Sequence, residues 1–207
     1  MKFYIIDGLL EDDLADHLEG FFLGDSVNWN YNPFTTSIGR LYGNLDYPNV
    51  IETHQFTHRL ITDDRDIGTD PGIAKLARSL IDAVQAKTDL RIHSIHRLKA
   101  NMLMQGDYKD YQYHPPHYDT VSPNHWSMVY YINRSDGPTR LFDKIAEKDF
   151  ESADDVNELY FGMECAESVE PRKNRAVIFP SNLLHSSACP IQFKRRVVLN
   201  FVLKSQG

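Results

Sequence analysis

Apolar and polar positions follow two regimes along the chain, and the change falls near Thr88. Residues 2–6 alternate weakly and are β-prone, which predicts an opening strand. From Leu10 onward, Leu14, Leu18, Phe21 and Phe22 fall on an approximately helical stripe, so an amphipathic helix should follow. Between Gly24 and Asp70 no period holds: Trp29, Phe34 and Leu41 stand singly among Asn, Tyr, Thr and Gly, the pattern of loops and short strands. Asp70-Pro71 then pairs an N-cap residue with proline at the first helical position. Ile73, Leu76, Ala77, Leu80, Ile81 and Val84 recur behind it at helical spacing.

Beyond Thr88 the apolar segments are short, β-branched or aromatic, and separated by turn residues. Strands are predicted at 91–104, 126–133, 139–142, 168–170, 175–179 and 196–203. Two helices followed by short strands predict a mainly β (α+β) fold, a jelly roll or barrel with supporting helices packed on one face. No repeat, heptad run or low-complexity linker divides the chain. A single domain over 1–207 is therefore expected, with the irregular N-terminal part at 1–90 and the β core at 91–204. The acidic stretch KIAEKDFESADDVNELY, ending at Tyr160, reads as a solvated excursion, or else as a lid or docking surface.

Composition narrows the function classes. With 207 residues and 42% hydrophobic content, the chain can bury a sizeable core without disulfide or metal staples. Its 22 Lys+Arg against 29 Asp+Glu give a net charge of -7, which argues against a nucleic-acid partner, although Arg172, Lys173 and Arg175 form a local basic cluster. The two cysteines, Cys165 and Cys189, lack CxxC spacing and read as buried or idle thiols in a reducing compartment. No run approaches the roughly 18 apolar residues of a membrane span. The N-terminus turns acidic where a signal peptide would be apolar, so a cytoplasmic location without membrane partners is expected.

The chemistry concentrates in YHPPHYD, where His117 and Asp119 lie two apart behind Pro115-Pro116. Extended backbone after the prolines puts both side chains on one face of a strand end. A plain His–carboxylate hydrogen bond would use the same pair, so a metal site needs a third ligand. His185 is the best candidate, since it follows the β-like run AVIF and the turn at Pro180. Two histidines and one carboxylate make the facial triad that leaves positions open on non-haem Fe(II), unlike a closed structural zinc site. A bidentate oxo acid with a second carboxylate would also need a fixed guanidinium at its far end. Arg195 and Arg196 stand ten and eleven positions after His185. Alternation puts Arg196 with Val198, Asn200 and Val202, and Arg195 with the more apolar face of Val197, Leu199 and Phe201, which makes Arg196 the inward candidate.

The ordered segments HYD, INRSDGPTRLF, VEPRKNRAVIFPSNLLH and RRVVLNFVL resemble the Fe(II)- and 2-oxoglutarate-dependent dioxygenase superfamily, particularly its prolyl-hydroxylase-like branch. The resemblance covers roughly 98–204, with support from the opening MKFYIIDGLLEDDLADHL. It implies a double-stranded β-helix, a distorted jelly roll with metal bound between its sheets. It implies His117, Asp119 and His185 as Fe(II) ligands, and Arg196 as partner of the distal 2-oxoglutarate carboxylate, with Arg195 as the fallback. Tyr131 in SMVYYIN is implied to join that arginine, and Asn101 in LKANML matches a position that contacts the co-substrate in some members. Gly137-Pro138-Thr139 departs from the commoner Gly-Gly-x-Thr, so the conformation of that turn is open.

The implied reaction consumes 2-oxoglutarate and O2, with ascorbate as an optional reductant, and hydroxylates an amino-acid side chain, peptidyl (prolyl included) or free. Rival readings are a small-molecule or nucleic-acid oxygenase of the same chemistry, and a catalytically silent cupin-like metal-binding protein. His114 is a candidate for the substrate entrance or for a solvent-facing loop. Tyr108, Tyr111, Tyr113 and Tyr118 form either an aromatic substrate wall or packing around the prolines.

Overall fold

The computed structural model describes residues 2–38, 47–66 and 71–206. The opening strand β1 (Tyr4–Asp7) and helix α1 (Asp12–Leu23) form where periodicity places them. The buried stripe of α1 is Ala15, Leu18 and Phe22, while Leu14 lies exposed one position off that line. In the irregular region β2 (Asn30–Asn32), β3 (Gln55–Thr62) and β4 (Arg65–Asp66) emerge. The strand β3 hides from a period-2 search because it buries polar Gln55 and His58 and slips register between Arg59 and Ile61. Helix α2 (Pro71–Lys87) buries Ile73, Ala74, Ala77, Leu80, Ile81 and Val84, and its expected N-cap, Asp70, lies outside the described residues, as does Leu41.

The β segments follow as β5 (Ile92–Met104), β6 (His125–Tyr131), β7 (Thr139–Ile145), β8 (Cys165–Val169), β9 (Arg175–Pro180), β10 (Leu183–Ser187) and β11 (Arg195–Ser205). Seven strands hydrogen-bond in the order β1-β9-β6-β11-β5-β3-β2, with β4 on β3, and a second sheet runs β10-β7-β8. All the strand pairings are antiparallel. The strand β10, which carries His185, was not expected as an element, because LLHSS has no polar alternation: Leu183, Leu184, His185 and Ser186 are all buried.

Each face of the large sheet has its own partner. Val197, Leu199, Phe201 and Leu203 of β11 join Leu18 and Phe22 of α1 and Leu80 and Val84 of α2 in one core. Val129, Tyr131, Val177, Phe179 and Val198 point the other way and pack on Leu141, Val169 and Leu183 of the small sheet. The protein is mainly β, with two antiparallel sheets packed as a double-stranded β-helix and with α1 and α2 covering the large sheet. This division follows from strand alternation, which sends adjacent residues of β11 to opposite layers.

The acidic stretch contains a helix, α3 (Ala153–Tyr160). Ser152 caps it: its Oγ accepts from the Asp155 amide, and the Asp155 carboxylate accepts from the Ser152 amide. Val156 and Tyr160 are buried against Phe142 and Leu184, so the stretch is docked rather than wholly solvated. Among the described residues no helix is long and apolar enough to cross a membrane.

Candidate active site

His117 and Asp119 do not sit in a regular strand. His117 forms an isolated antiparallel bridge with His185, its amide donating to the His185 carbonyl (2.9 Å) and the His185 amide donating back (2.8 Å). Two residues on, the Asp119 amide donates to Ser181 O at 2.8 Å, just before β10. The prolines before His117 keep this segment extended, and backbone bonds to β10 bring the three side chains together. Their ligand atoms all lie within 4.8 Å of one another, and His185 Nε2 stands 3.7 Å from Asp119 Oδ2.

The two imidazoles are oriented by their own backbones. His117 Nδ1 lies 3.3 Å from Pro115 O and His185 Nδ1 lies 3.0 Å from Leu183 O. Each contact favours a proton on Nδ1, which leaves Nε2 as the lone-pair donor. His185 Nε2 is buried with no hydrogen-bond partner. Burial lowers the His117 pKa to about 3, with the neighbouring His185 lowering it further, and burial also pushes His185 down. Both rings are therefore neutral at physiological pH, the form a metal requires. Burial alone would raise Asp119, but Arg97, the two histidines and the Ser127 hydroxyl outweigh it and hold the carboxyl well below the usual carboxylate range. Asp119 Oδ1 pairs with Arg97, and Oδ2 accepts from Ser127 Oγ. A carboxylate oxygen has two lone pairs, so Oδ2 can accept that bond and still bind a metal. A buried imidazole nitrogen without a partner, two fixed tautomers and an ionised carboxylate fit an Fe(II) ion.

Arg196 faces the same cavity, which His117, Asp119, His185, Asn101 and Thr139 also line. It is 3% exposed, and among the described residues no carboxylate pairs with it. One Nη donates to Thr139 Oγ1 at 2.8 Å, the guanidinium lies 5.4 Å from the Tyr131 ring centre, and Nε is buried without a partner. Burial lowers its pKa, so the charge is held against a desolvation cost. An uncompensated buried guanidinium fits the far carboxylate of 2-oxoglutarate. The structure places Tyr131 beside Arg196, with its hydroxyl donating to Thr139 Oγ1 at 2.7 Å. Asn101 lines the cavity with Nδ2 bonded to Gln55 Oε1 (2.7 Å) and Oδ1 unpartnered. Arg195 points away, donating to Leu23 O at the end of α1.

Other sequence expectations are placed as follows. Gly137 sits where a Cβ would come 2.2 Å from the Ala188 carbonyl oxygen, so the Gly-Pro-Thr turn packs tightly on the segment after β10. His114 is neither at an entrance nor in solvent: it is fully buried, with Nδ1 3.0 Å from Ser187 Oγ and Nε2 3.0 Å from Thr53 Oγ1. Tyr118 lines an outer cavity, whereas Tyr113 packs on Phe142 and Tyr111 is exposed. Of the basic cluster, Lys173 pairs with Asp16 and Glu19, and Arg175 with Asp7, which removes most of a phosphate-binding surface. Sequence reasoning missed Arg97, Lys99, Ser127, Thr139 and Gln55 as neighbours of the site. Arg97 and Lys99 share the face of Asn101 four and two steps back on β5, and Ser127 shares that of Tyr131, so alternation could have found all three. Nothing periodic marks Gln55.

The profile of the 2OG-Fe(II) oxygenase superfamily matches residues 103–204, which include the three triad residues and Arg196. No curated protein matches the sequence. Among solved structures, an oxidoreductase of the 2OG-Fe(II) oxygenase family from Burkholderia pseudomallei aligns with a TM-score of 0.60 at 11% identity, over 98% of this chain and 84% of that one. A prolyl hydroxylase from Trichoplax adhaerens, in complex with a hypoxia inducible factor peptide fragment, aligns at 0.57 and 12%, over 98% and 83%. A Pseudomonas putida prolyl-4-hydroxylase aligns at 0.54 and 14%, over 99% and 93%. At these identities the likeness is one of fold. The profile match over 103–204 and the candidate triad, carried on this fold, support the 2OG-Fe(II) oxygenase superfamily as the family of this chain.

Proposed function

We propose that this oxygenase hydroxylates an amino-acid side chain, peptidyl or free, with His117, Asp119 and His185 holding Fe(II) and Arg196 holding 2-oxoglutarate. One observation carries the reading: a buried guanidinium, without a carboxylate partner among the described residues, faces the same cavity as the triad. When bound, the metal supplies activation of dioxygen coupled to decarboxylation of 2-oxoglutarate, one oxygen atom ending in succinate and the other as hydroxyl on the substrate carbon, with release of CO2. The protein's own part is placement. Arg196 grips the distal carboxylate, and Thr139, which accepts from both Arg196 and Tyr131, fixes the guanidinium plane. Arg97 and Ser127 keep Asp119 ionised and aimed. The amino-acid class is supported by neighbours of the same fold that are named as prolyl hydroxylases.

The test is succinate formation from 2-oxoglutarate by anaerobically Fe(II)-loaded protein exposed to O2 and ascorbate, with proline-containing peptides and free amino acids added singly. Succinate that rises with one addition and is absent from His185→Ala is expected. Stoichiometric iron binding with no succinate under any addition would favour a silent metal-binding protein.

A further inference from the structure

The site has a second cationic end. Alternation on β5 puts Arg97, Lys99, Asn101 and Leu103 on the site face, opposite Val202, Asn200, Val198 and Arg196 of β11. Lys99 is thus four residues, about 13 Å of strand, from the row of Arg196. Arg97 reaches Asp119, which marks its end of the row as the outer side of the triad. There a cavity of 390 Å³ opens, bordered by Arg97, Phe34, Thr36 and Ser37 but not Arg196, and Lys99 stands at its boundary with the Arg196 cavity, lining both. Its size falls in the range of small-molecule sites.

The walls carry more charge than a neutral ligand needs. Arg97 is committed, with one Nη shared between Asp119 and Asn200, yet its Nε is buried without a partner. Lys99 has no ion-pair or hydrogen-bond partner among the described residues, whereas Lys2, Lys148 and Lys173 all pair with acids. The chain as a whole is acidic at -7, so an unpaired half-buried ammonium here is a local feature. Burial, and then repulsion from Arg97, push the Lys99 pKa down to about 8, a cost that a bound anion would relieve. Buried Thr36 Oγ1 adds an unpartnered hydroxyl at the same wall. A prolyl ring within a peptide presents no charge to match this lining.

We propose that the substrate is a free amino acid whose own carboxylate is held by Lys99, with Arg97 and the Thr35–Ser37 hydroxyl wall beside it, rather than a residue within a peptide. This rests on the oxygenase reading above and narrows its substrate class. The probes are the proteinogenic free L-amino acids and their carboxamides, titrated calorimetrically and anaerobically into protein loaded with Fe(II) and 2-oxoglutarate. At least one free acid should bind, with its carboxamide on the order of tenfold or more weaker. Lys99→Met should bring the pair within about twofold, and Lys99→Arg should restore the preference.

Equal binding of acid and amide, tighter binding of prolyl peptides, or binding of no probe would overturn the assignment. So would a Lys99→Met protein that loses affinity for 2-oxoglutarate instead of for the probe. Succinate formation separates the two readings. Succinate stimulated by peptides and not by free acids keeps the oxygenase and removes this substrate class. Binding that depends on Lys99 without any succinate removes the oxygenase reading and keeps the pocket.

Discussion

Among the described residues no anion pairs with Arg196, so its substitution should act on 2-oxoglutarate rather than on iron. Arg196→Ala is expected to raise the KM for 2-oxoglutarate by about 10- to 100-fold, the loss of a charge-assisted pair, with iron stoichiometry intact. Arg196→Lys should recover only part, because lysine keeps the charge but not the planar fork. Steady-state kinetics against 2-oxoglutarate, beside an iron titration, check both. Ser127 predicts the opposite pattern. Its hydroxyl donates to the Asp119 oxygen that faces His185, so Ser127→Ala should weaken metal affinity by about 10- to 100-fold. A competition titration with a metal chelator measures it. Both residues lie on faces that alternation reads from sequence. What alternation does not reveal is that Thr139 links Arg196 to Tyr131, since that contact joins three strands.

At the scale of the element, α3 is the instructive case. Its negative charge reads as solvated surface, yet Ser152 and Asp155 form a reciprocal cap, and Val156 and Tyr160 dock the helix. The Tyr160 hydroxyl donates to Pro116 O, immediately before His117, so the helix braces the segment that carries two triad residues. Ser152→Ala should cost about 1 kcal/mol and speed hydrogen exchange in α3, with thermal unfolding and exchange mass spectrometry as readouts. Unchanged exchange would mean that docking alone holds the helix. The cap was legible as Ser-x-x-Asp, but the docking was not, because it depends on Phe142 and Leu184 arriving from other strands.

For the whole molecule, buried neutral histidines set the response to acid. His114 is fully buried, and burial, followed by the nearby Arg196 charge, lowers its pKa to about 3. The unfolded chain takes up a proton near the ordinary value of 6.5, whereas the folded chain resists until about pH 3. The stability of the metal-free protein should therefore be undiminished by this group above pH 6.5 and fall as the pH drops toward 3, by about 1.4 kcal/mol per pH unit within that window. Urea unfolding across this range, with His114→Gln losing about one proton's worth of slope, is the check. Fe(II) or 2-oxoglutarate at a hundredfold over its Kd should each add about 2.7 kcal/mol, and His185→Ala should abolish the metal's share.

The sequence by itself determined the fold class, the two long helices, the sheet faces of β6 and β11, and the three residues of the candidate triad. These rest on local rules: helical spacing, strand alternation, and the extended backbone that prolines impose. Only the tertiary structure decided that His114 is interior, that β3 belongs to the large sheet, and that Arg97 and Lys99 face a cavity beyond Asp119. Those outcomes depend on which strands become neighbours and in what register, and register is set by packing between segments far apart in the chain, a non-local balance that no window of sequence contains.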